Sequence, residues 1–465
     1  MKRRLVAVFA GLLAAPLAAL TPPLLPPIDG GPDFQVNVTS QGPQETPDVA
    51  RDAAGDFAVV WADRPEGGTQ TRLMVRLFES SGAPKTGEIL VWPLNDYFEP
   101  RPRIAMTPQG AFVVVWANQA GIGMRRFDRF GQPDGAAFVI DPAGSLDKWA
   151  PDVAMDAAGN VAVVWTQNSS QKIFLQRLDA EDRPLEAPRQ VDQASKGPRG
   201  YPRVALNAAG SLLVSWDDYR ENKPDVYARR FDGPSGSWAP EVRVHADPAG
   251  TQQDSALVLH PEGDGLVLYH DQNEQKIFGQ RLDAAGALLG GAIEIGDAFA
   301  GQPDVAAALN GKMLAVWSGD GFDGLGVYGH LLERDGKSLS HPFLISTPSS
   351  VYDWYPAVAG GSQQGFAVAW NNGDFFTLPI TPPPPRDGRD GSLSGVFARA
   401  FVGRCLAGSD VLCLGGGRFE VRVSWRNPAT GGIGSGRVLP LTNDTGAFWF
   451  FGTDNLELMV KVLDG

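Results

Sequence analysis

Residues 151–165 of the chain read PDVAMDAAGNVAVVW, and residues 47–61 read PDVARDAAGDFAVVW. Each phrase contains a short segment that begins at proline, a turn rich in alanine and glycine, and an apolar run that ends in tryptophan. Turns of this composition join strands, and a continuous apolar run of this length is typical of a strand covered on both faces. The phrase therefore predicts two antiparallel strands joined by a tight turn.

The same phrase occurs seven times, each time ending in an aromatic residue, here called the anchor. After each anchor comes a segment with an Arg-apolar-acid signature, such as RLDA at 177–180, then another glycine turn and a short fourth segment, such as FVID at 138–141. Four antiparallel strands repeated seven times predict an all-β fold, a seven-bladed β-propeller of four-stranded blades. The anchors, spaced 48 to 55 residues apart, are Trp61, Trp116, Trp165, Trp216, Tyr269, Trp317 and Trp370.

The fourth strand of the last blade is missing at the end of the repeat region. The segment FQVNV at 34–38, which precedes the first repeat, resembles the other fourth strands. A ring left open would expose strand edges, and edges are sites of unwanted pairing. We therefore expect this N-terminal strand to cross over and complete the seventh blade, so that the propeller spans 34–402.

The repeated aromatic and arginine residues could form a ligand-stacking series or could pack the blades together. Because they recur once per blade, and because Tyr269 replaces tryptophan in one of them, packing is the favoured interpretation. The arginines are expected to stack on the anchors or to bond to the glycine turn that follows them. They are Arg76, Arg126, Arg177, Arg230, Arg281 and Arg399.

The chain begins with MKRR and an apolar run rich in alanine and leucine, which is the layout of a secretory signal peptide over residues 1–21. An uncleaved membrane anchor is the alternative. A Pro-rich linker follows at 22–33, and no later stretch is long and apolar enough to span a membrane. We expect a monomer that is secreted, periplasmic or held at the cell surface. The net charge of −13 and the lack of a basic block argue against a nucleic-acid partner.

Two cysteines and four aspartates could form local structural sites. Cys405 and Cys413 are expected to form a disulfide in an exported protein. The turns DGFDG and DGRDG could bring together oxygen ligands for Ca²⁺, although they lack the spacing of a dedicated calcium loop and plain turns are favoured. No other cofactor is expected. The four candidate ligands are Asp320, Asp323, Asp387 and Asp390.

One face of the predicted ring carries long, varied loops, whereas the other carries short, uniform turns. Variable loops on a rigid scaffold are where binding groups usually lie.

The central channel should open on this face. The residue that immediately precedes each repeat phrase is expected to lie at its mouth, and these residues are Thr46, Arg101, Ala150, Tyr201, Asp254, Gln302 and Tyr355. Loop aromatics surround it, at Trp92, Tyr97, Phe98, Trp149, Tyr201, Tyr219, Tyr352, Trp354 and Tyr355. These aromatics could contact a ligand or could cover the channel by packing on one another. The predicted ligand-binding set is Arg101, Trp149, Tyr201, Asp254, Gln302, Trp354 and Tyr355.

No catalytic motif stands out in the sequence. The five histidines show no metal-ligand spacing, and the sequence has no G-x-S-x-G, no H-E-x-x-H and no phosphate-binding glycine loop. A glycan hydrolase or lyase that draws its acids from separate blades remains the alternative to a binding protein. Its candidate acids are Asp63, Asp217, Asp218, Asp254 and Asp271.

The repeats resemble the β-propellers of exported bacterial proteins, whose activities are largely uncharacterised. Residues 403–465, with CLAGSDVLCLGGGRFEVRVSW and NLELMVKVLDG, resemble a small β module that ends many such proteins. Modules of that group usually continue with further strands, which leaves open a truncated module here. The resemblance and the loop face together imply a secreted, non-catalytic propeller that binds a polysaccharide, a peptide or a protein.

Overall fold

The computed structural model describes most of the repeat region. Its described residues are 31–402 except 39–41, 66–69, 95–99, 142–147, 194, 247–249, 298–300, 322–323, 348–352, 362–364 and 373–394. Outside that region it describes Val6–Val8 and seven short strands between Val411 and Lys461. Within these residues every regular element is a β-strand, and no helix is long and apolar enough to cross a membrane.

Seven antiparallel sheets follow one another along the described part of the repeat region, and each is one blade. The chain fills each blade from its first strand outward, and blade 4 has two short strands in the fourth position. The strands are Gln44–Arg51, Phe57–Asp63, Arg72–Phe78 and Ile89–Pro93 in blade 1; Arg103–Met106, Phe112–Asn118, Gly121–Phe127 and Pro133–Val139 in blade 2; Lys148–Met155, Val161–Gln167, Lys172–Leu178 and Arg189–Gln190 in blade 3; Arg199–Leu206, Leu212–Asp218, Asp225–Asp232, Ser237–Trp238 and Val242–Arg243 in blade 4; Gln252–Leu259, Gly265–Asp271, Lys276–Leu282 and Leu288–Asp297 in blade 5; Gly301–Ala307, Met313–Gly321, Gly324–Leu332 and Phe343–Leu344 in blade 6; and Asp353–Ala359, Gly365–Asn372, Gly395–Val402 and Phe34–Gln35 in blade 7.

The N-terminal strand closes the ring, as the sequence predicts. Phe34 pairs with Ala398 in the third strand of blade 7, and Gln35 pairs with Phe397. The backbone N–H of Val36 continues this pairing by donating to the carbonyl of Val396 at 2.8 Å. The first and last parts of the repeat region therefore share one sheet, which removes the open edge.

The anchors are buried between blades, which confirms the packing interpretation. In six blades a large side chain on the third strand lies opposite the anchor, as Phe174 lies opposite Trp165 with ring centroids 6.1 Å apart. In blade 2 this position is Gly123, and Trp92 from blade 1 stacks on Trp116 instead, at 5.8 Å. The six opposite residues are Met74, Phe174, Tyr227, Phe278, Tyr328 and Phe397.

Two of the six recurrent arginines bond to a turn of the next blade, whereas Arg177 bonds to a glutamate of its own blade. Arg126 donates from Nη1 to the carbonyl of Gly159 at 2.9 Å, and Arg230 donates from Nε to the carbonyl of Gly263 at 3.2 Å. Both glycines belong to the turn between the first two strands of the next blade. The bond therefore crosses the blade boundary, whereas the sequence suggested the turn that follows the arginine in its own blade.

The C-terminal region contains short antiparallel pairs. Val411–Leu414 pairs with Phe419–Arg422, and Ser424–Arg426 pairs with Ile433–Ser435. A four-stranded sheet has the order Arg437–Thr442, Thr445–Trp449, Leu458–Lys461 and Val6–Val8. The disulfide stays a prediction, because Cys405 lies outside the described residues and only the backbone of Cys413 is described.

Candidate functional site

Each blade carries one non-glycine residue with a left-handed backbone at the start of its first strand. These φ angles lie between 40° and 56°, where non-glycine residues are uncommon. In six blades the pairing register between the first and second strands shifts at this position, which marks a β-bulge. A bulge redirects a side chain relative to the sheet. The seven residues are Thr46, Arg101, Ala150, Tyr201, Asp254, Gln302 and Tyr355.

All seven left-handed residues line one cavity at the mouth of the central channel. The cavity has a volume of about 330 Å³ and lies on the long-loop face. The predicted ring of mouth residues is therefore confirmed as a location, while ligand binding there stays a prediction. Of the predicted binding set, Arg101, Tyr201, Asp254, Gln302 and Tyr355 line this cavity. The half-buried Trp354 is not part of its described lining.

A second cavity, of about 270 Å³, lies beside the first and shares Tyr201 with it. Trp149 and Tyr219 form aromatic parts of its lining. The ring of Trp149 meets Tyr201 edge to face at 4.8 Å, and the guanidinium of Arg101 lies over the Tyr201 ring at 4.9 Å. Among the described residues, the Trp149 indole N–H has no hydrogen-bond partner. The two cavities therefore meet at an aromatic wall that retains an unused donor.

A carboxyl pair lies at one side of the mouth. The backbone N–H of Asp254 donates to Oδ2 of Asp217 at 3.3 Å, and Oδ1 of Asp217 has no partner among the described residues. Burial raises the pKa of Asp217 well above its usual range, and the negative charge of Asp254 raises it further. Burial also raises the pKa of Asp254, against the opposing effect of His270. Perturbed carboxyl groups of this kind are frequent at functional sites.

Three of the candidate acids instead hold their own blades together. Asp63 accepts from Gln44 Nε2 at 2.5 Å, and Asp271 accepts from Gln252 Nε2 at 2.7 Å. In each case the bond joins the end of the second strand to the beginning of the first. Asp218 occupies the same place in blade 4 and accepts from Arg220 Nε at 2.8 Å. These carboxylates are buried and bonded within a blade, and none of them belongs to the described lining of the mouth cavity, while their role as catalytic acids stays a prediction.

Sequence reasoning missed a second ring of charged residues just below the mouth. These residues occupy the second position of the repeat, in the inner strands, and alternate in charge around part of the channel. Arg103 lies 3.7 Å from Asp48 and 3.8 Å from Asp152, and Arg203 lies 4.0 Å from Asp152. The signal was present in the sequence as the alternation of PD and PR at the start of the repeats. The ring, here called the channel ring, consists of Asp48, Arg103, Asp152, Arg203 and Asp304.

The acids of the channel ring also bond to the backbone of the next blade. Oδ2 of Asp152 accepts from the N–H of Val204 at 2.8 Å, and Oδ2 of Asp304 accepts from the N–H of Val358 at 2.8 Å. Burial raises the pKa of Asp48 to about 6, although the charge of Arg103 opposes this increase. Burial also raises the pKa of Asp304. These acids are therefore part of the blade-to-blade framework.

The remaining candidates do not assemble into a site within the described residues. Asp320 is exposed, while Asp323, Asp387 and Asp390 lie outside the described residues, so the Ca²⁺ hypothesis stays untested. The part of the chain that is described holds no group of three or more His, Cys, Asp or Glu side chains arranged for a metal ion. Trp92 is a packing residue, as its stacking on Trp116 shows. Three loop aromatics lie outside the described residues: Tyr97, Phe98 and Tyr352.

Comparisons with known proteins agree on the architecture. No protein-family model matches the chain, and no curated protein matches it in sequence. A protein of unknown function from Dyadobacter fermentans DSM 18053 is similar in structure, with a TM-score of 0.50 and 12% identity over 80% of this chain and 99% of that chain. The polysaccharide lyase Uly1 is similar in structure with a TM-score of 0.51 and 9% identity, over 78% of this chain and 90% of that chain. An α-L-arabinanase from Penicillium chrysogenum has 12% identity over 66% of this chain and 99% of that chain. Its TM-score of 0.43 is too low for a functional argument. Of these, the two structures with a TM-score of 0.50 or more, a protein of unknown function and a polysaccharide lyase, are similar to this chain in fold alone, and their likeness shows nothing about its ligand. The seven blades are given by the sheet topology of the chain itself.

Proposed function

We propose that the protein is an exported, non-catalytic propeller that binds a saccharide at the mouth of its central channel. The observation that carries this proposal is the aromatic wall between the two cavities, formed by Trp149 and Tyr201. Aromatic faces pack against the apolar C–H faces of sugar rings, while surrounding polar groups satisfy the hydroxyls. The signal-like N-terminus supports an extracytoplasmic location, where polysaccharides are encountered.

The composition of the mouth fits a polar ligand better than an apolar one. Arg101, Gln302 and Asp254 line the cavity together with two tyrosines. Pockets for small ligands have volumes of roughly 300–1,000 Å³ and combine apolar walls with a few polar groups that fix orientation. A cavity of about 330 Å³ next to one of about 270 Å³ suits a short oligosaccharide that extends across both.

The backbone supports a binding role for the same residues. Left-handed non-glycine residues cost on the order of 1 kcal/mol each and tend to collect at functional sites. Here seven of them surround one cavity, with Tyr201 and Asp254 among them. A rigid ring that already holds its side chains toward the ligand reduces the entropy lost on binding.

The test is a calorimetric titration of the full chain with a panel of neutral and acidic oligosaccharides, with a panel of peptides as the comparison. We expect saturable binding of at least one saccharide class and no new reducing ends or unsaturated products after prolonged incubation. Binding of peptides alone, or no binding of any saccharide, would contradict the proposal.

A second candidate function is cleavage of a glycan at the same mouth. The observation that favours it is the pair of Asp217 and Asp254, in which a carboxyl with a raised pKa could donate a proton. Against a two-carboxylate hydrolase, Asp254 is the only acidic residue in the described lining of the mouth cavity. Product formation that is lost in Asp254→Asn would favour the enzyme, because this change keeps the side-chain shape and removes the proton donor.

A further inference from the structure

We infer that Arg103 and Arg203 bind an acidic group of the ligand, so that the saccharide taken at the mouth is an acidic one with carboxylate or sulfate substituents. The inference rests on the proposed function and adds the substrate class to it. Its basis is the placement of two guanidinium groups in the wall of the mouth cavity, at the level of the channel ring.

The two arginines have donors that the described protein does not use. An arginine carries five N–H donors in a fixed fork, a geometry that matches carboxylate and sulfate oxygens. Within the described residues, neither Arg103 nor Arg203 donates a hydrogen bond, and their closest ion pairs are 3.7 Å and 4.0 Å long. Their side chains are 22% and 24% exposed, and both line the cavity. Guanidinium groups that line a cavity in loose ion pairs, without a hydrogen-bond acceptor among the described residues, can take an anionic ligand.

The neighbouring carboxylates do not serve as hydrogen-bond acceptors for these two arginines. Asp48, Asp152 and Asp304 each use one carboxylate oxygen for a backbone N–H of the next blade. None of the three belongs to the described lining of the cavity. These carboxylates therefore belong to the blade-to-blade framework, whereas Arg103 and Arg203 line the cavity.

The two positive charges also act on each other. Burial lowers the pKa of Arg103, and the positive charge of Arg203 lowers it further. Both groups keep their charge at neutral pH, because a guanidinium titrates far above it. An anion placed between two like charges relieves their repulsion, and it gains charge-assisted hydrogen bonds from both sides. Asp48 and Asp152 meet part of this demand, Asp48 at 3.7 Å from Arg103 and Asp152 at 3.8 Å and 4.0 Å from Arg103 and Arg203. Burial lowers the pKa of Arg203, but the surrounding carboxylates, Asp152 first, raise it overall.

The position of the pair relative to the aromatic wall gives the ligand an orientation. Arg203 lies two residues after Tyr201 in the same strand, and both line the mouth cavity. A sugar ring packed on Tyr201 therefore has its acidic substituent within the region of the arginine pair, while the next ring extends toward Trp149 and the second cavity. Arg101, stacked over Tyr201, adds a third positive charge at the rim.

The test uses saccharides that differ only in charge. Trigalacturonate, its methyl ester, a sulfated trisaccharide and its unsulfated parent are titrated against the full chain by calorimetry at low and high salt. We expect the carboxylate or the sulfated form to bind about ten- to a hundredfold more tightly than its neutral counterpart, with affinity falling as salt rises. The two charged arms show which acidic group is preferred.

Each outcome separates the inference from the proposed function. If charged and neutral forms bind with equal affinity, the inference is overturned while saccharide binding stands. If no saccharide binds, the proposed function itself is overturned, and the inference falls with it.

Variants test the arginines directly. Arg203→Gln should remove most of the preference for the acidic form, and Arg203→Lys should retain part of it, because lysine keeps the charge and loses the fork. The matched control is Arg183→Gln, which removes one positive charge from a side chain 72% exposed in a short turn on the opposite face. Thermal unfolding of each variant verifies the fold. A folded Arg203→Gln protein with the full preference for the acidic saccharide would overturn the inference.

Discussion

The carboxylate of Asp304 accepts a hydrogen bond at 2.8 Å from the backbone N–H of Val358, which lies in the inner strand of the next blade. Asp48 makes the same bond to Ile104 at 2.9 Å. Inner strands of neighbouring blades are thus joined by a side chain rather than by backbone pairing. This bond converts a ring of separate sheets into a connected channel wall.

The first prediction concerns that bond. Asp304→Ala leaves the buried N–H of Val358 without an acceptor, so we expect the free energy of unfolding to fall by about 1–3 kcal/mol. Asp304→Asn keeps an oxygen in the same place and should lose much less. Urea unfolding of both variants measures the difference. Equal losses in the two variants would show that the charge of Asp304, and not its bond, is what matters.

The second prediction concerns pH. Because the folded-state pKa of Asp48 is about 6, above the ordinary value of 3.8, the folded protein binds a proton more readily than the unfolded chain between these values. The contribution of this group to stability is therefore largest below about pH 4 and declines as pH rises to 6, by on the order of 1–3 kcal/mol. The groups that face it are Arg103, Asp152 and Asp304.

Asp48→Asn removes this titration and keeps an acceptor for Ile104. We expect the decline in unfolding free energy between pH 4 and 6 to be smaller in the variant than in the native chain, as measured by urea unfolding at several pH values. Parallel pH profiles for the two proteins would contradict the assigned pKa.

The third prediction concerns the gap that admits Trp92 beside Trp116. A β-carbon on Gly123 would overlap the Trp116 ring, so Gly123→Ala should destabilise the protein by about 1–3 kcal/mol through overpacking. Gly87→Ala is the control, because nothing lies within 4 Å of the added carbon there. Differential scanning calorimetry should show a lower midpoint for the first variant and an unchanged one for the second.

The fourth prediction concerns ring closure. Phe34 packs against Phe78 of blade 1, with centroids 5.2 Å apart, while its backbone pairs with blade 7. Phe34→Ala should therefore lower stability by about 2 kcal/mol. Val38→Ala, at a side chain 66% exposed, should have little effect. Limited proteolysis near residue 34 would provide a second readout, and resistance equal to that of the native chain would argue against a closing role.

The fifth prediction separates two tryptophans that look alike in the sequence. Trp149 lies at the junction of the cavities, whereas Trp92 packs on an anchor. Trp149→Ala should weaken saccharide binding by about tenfold or more with little change in the unfolding midpoint. Trp92→Ala should lower the midpoint and leave the affinity unchanged. Titration calorimetry and thermal unfolding of both variants measure this contrast, and the reverse pattern would place the binding surface elsewhere.

Much of the architecture was open to prediction because its signals are local. The apolar run from Val161 to Trp165 reads as a covered strand by itself, and seven copies of it predict seven blades. The closing strand Phe34–Gln35 was predictable because six fourth strands followed seven anchors. The mouth residues, including Tyr201 and Asp254, could be placed because strand direction alternates regularly within a blade.

Partners of individual side chains were less predictable. Asp217 and Asp218 are adjacent in the sequence, yet the first faces Asp254 of the next blade and the second is bonded to Arg220 in its own blade. Strand alternation sends neighbouring side chains to opposite sides, but their partners depend on the bulge and on the blade that follows. Sequence periodicity alone does not contain that information.

The sequence by itself determined the strand composition, the number of blades and the closure of the ring, because apolar periodicity and turn residues act over a few neighbouring positions. Only the tertiary structure decided that Arg103 and Arg203 share one cavity with Tyr201 and Asp254. Arg103 belongs to blade 2, Tyr201 and Arg203 belong to blade 4, and Asp254 belongs to blade 5, so only the arrangement of the blades around the channel brings these side chains to one cavity.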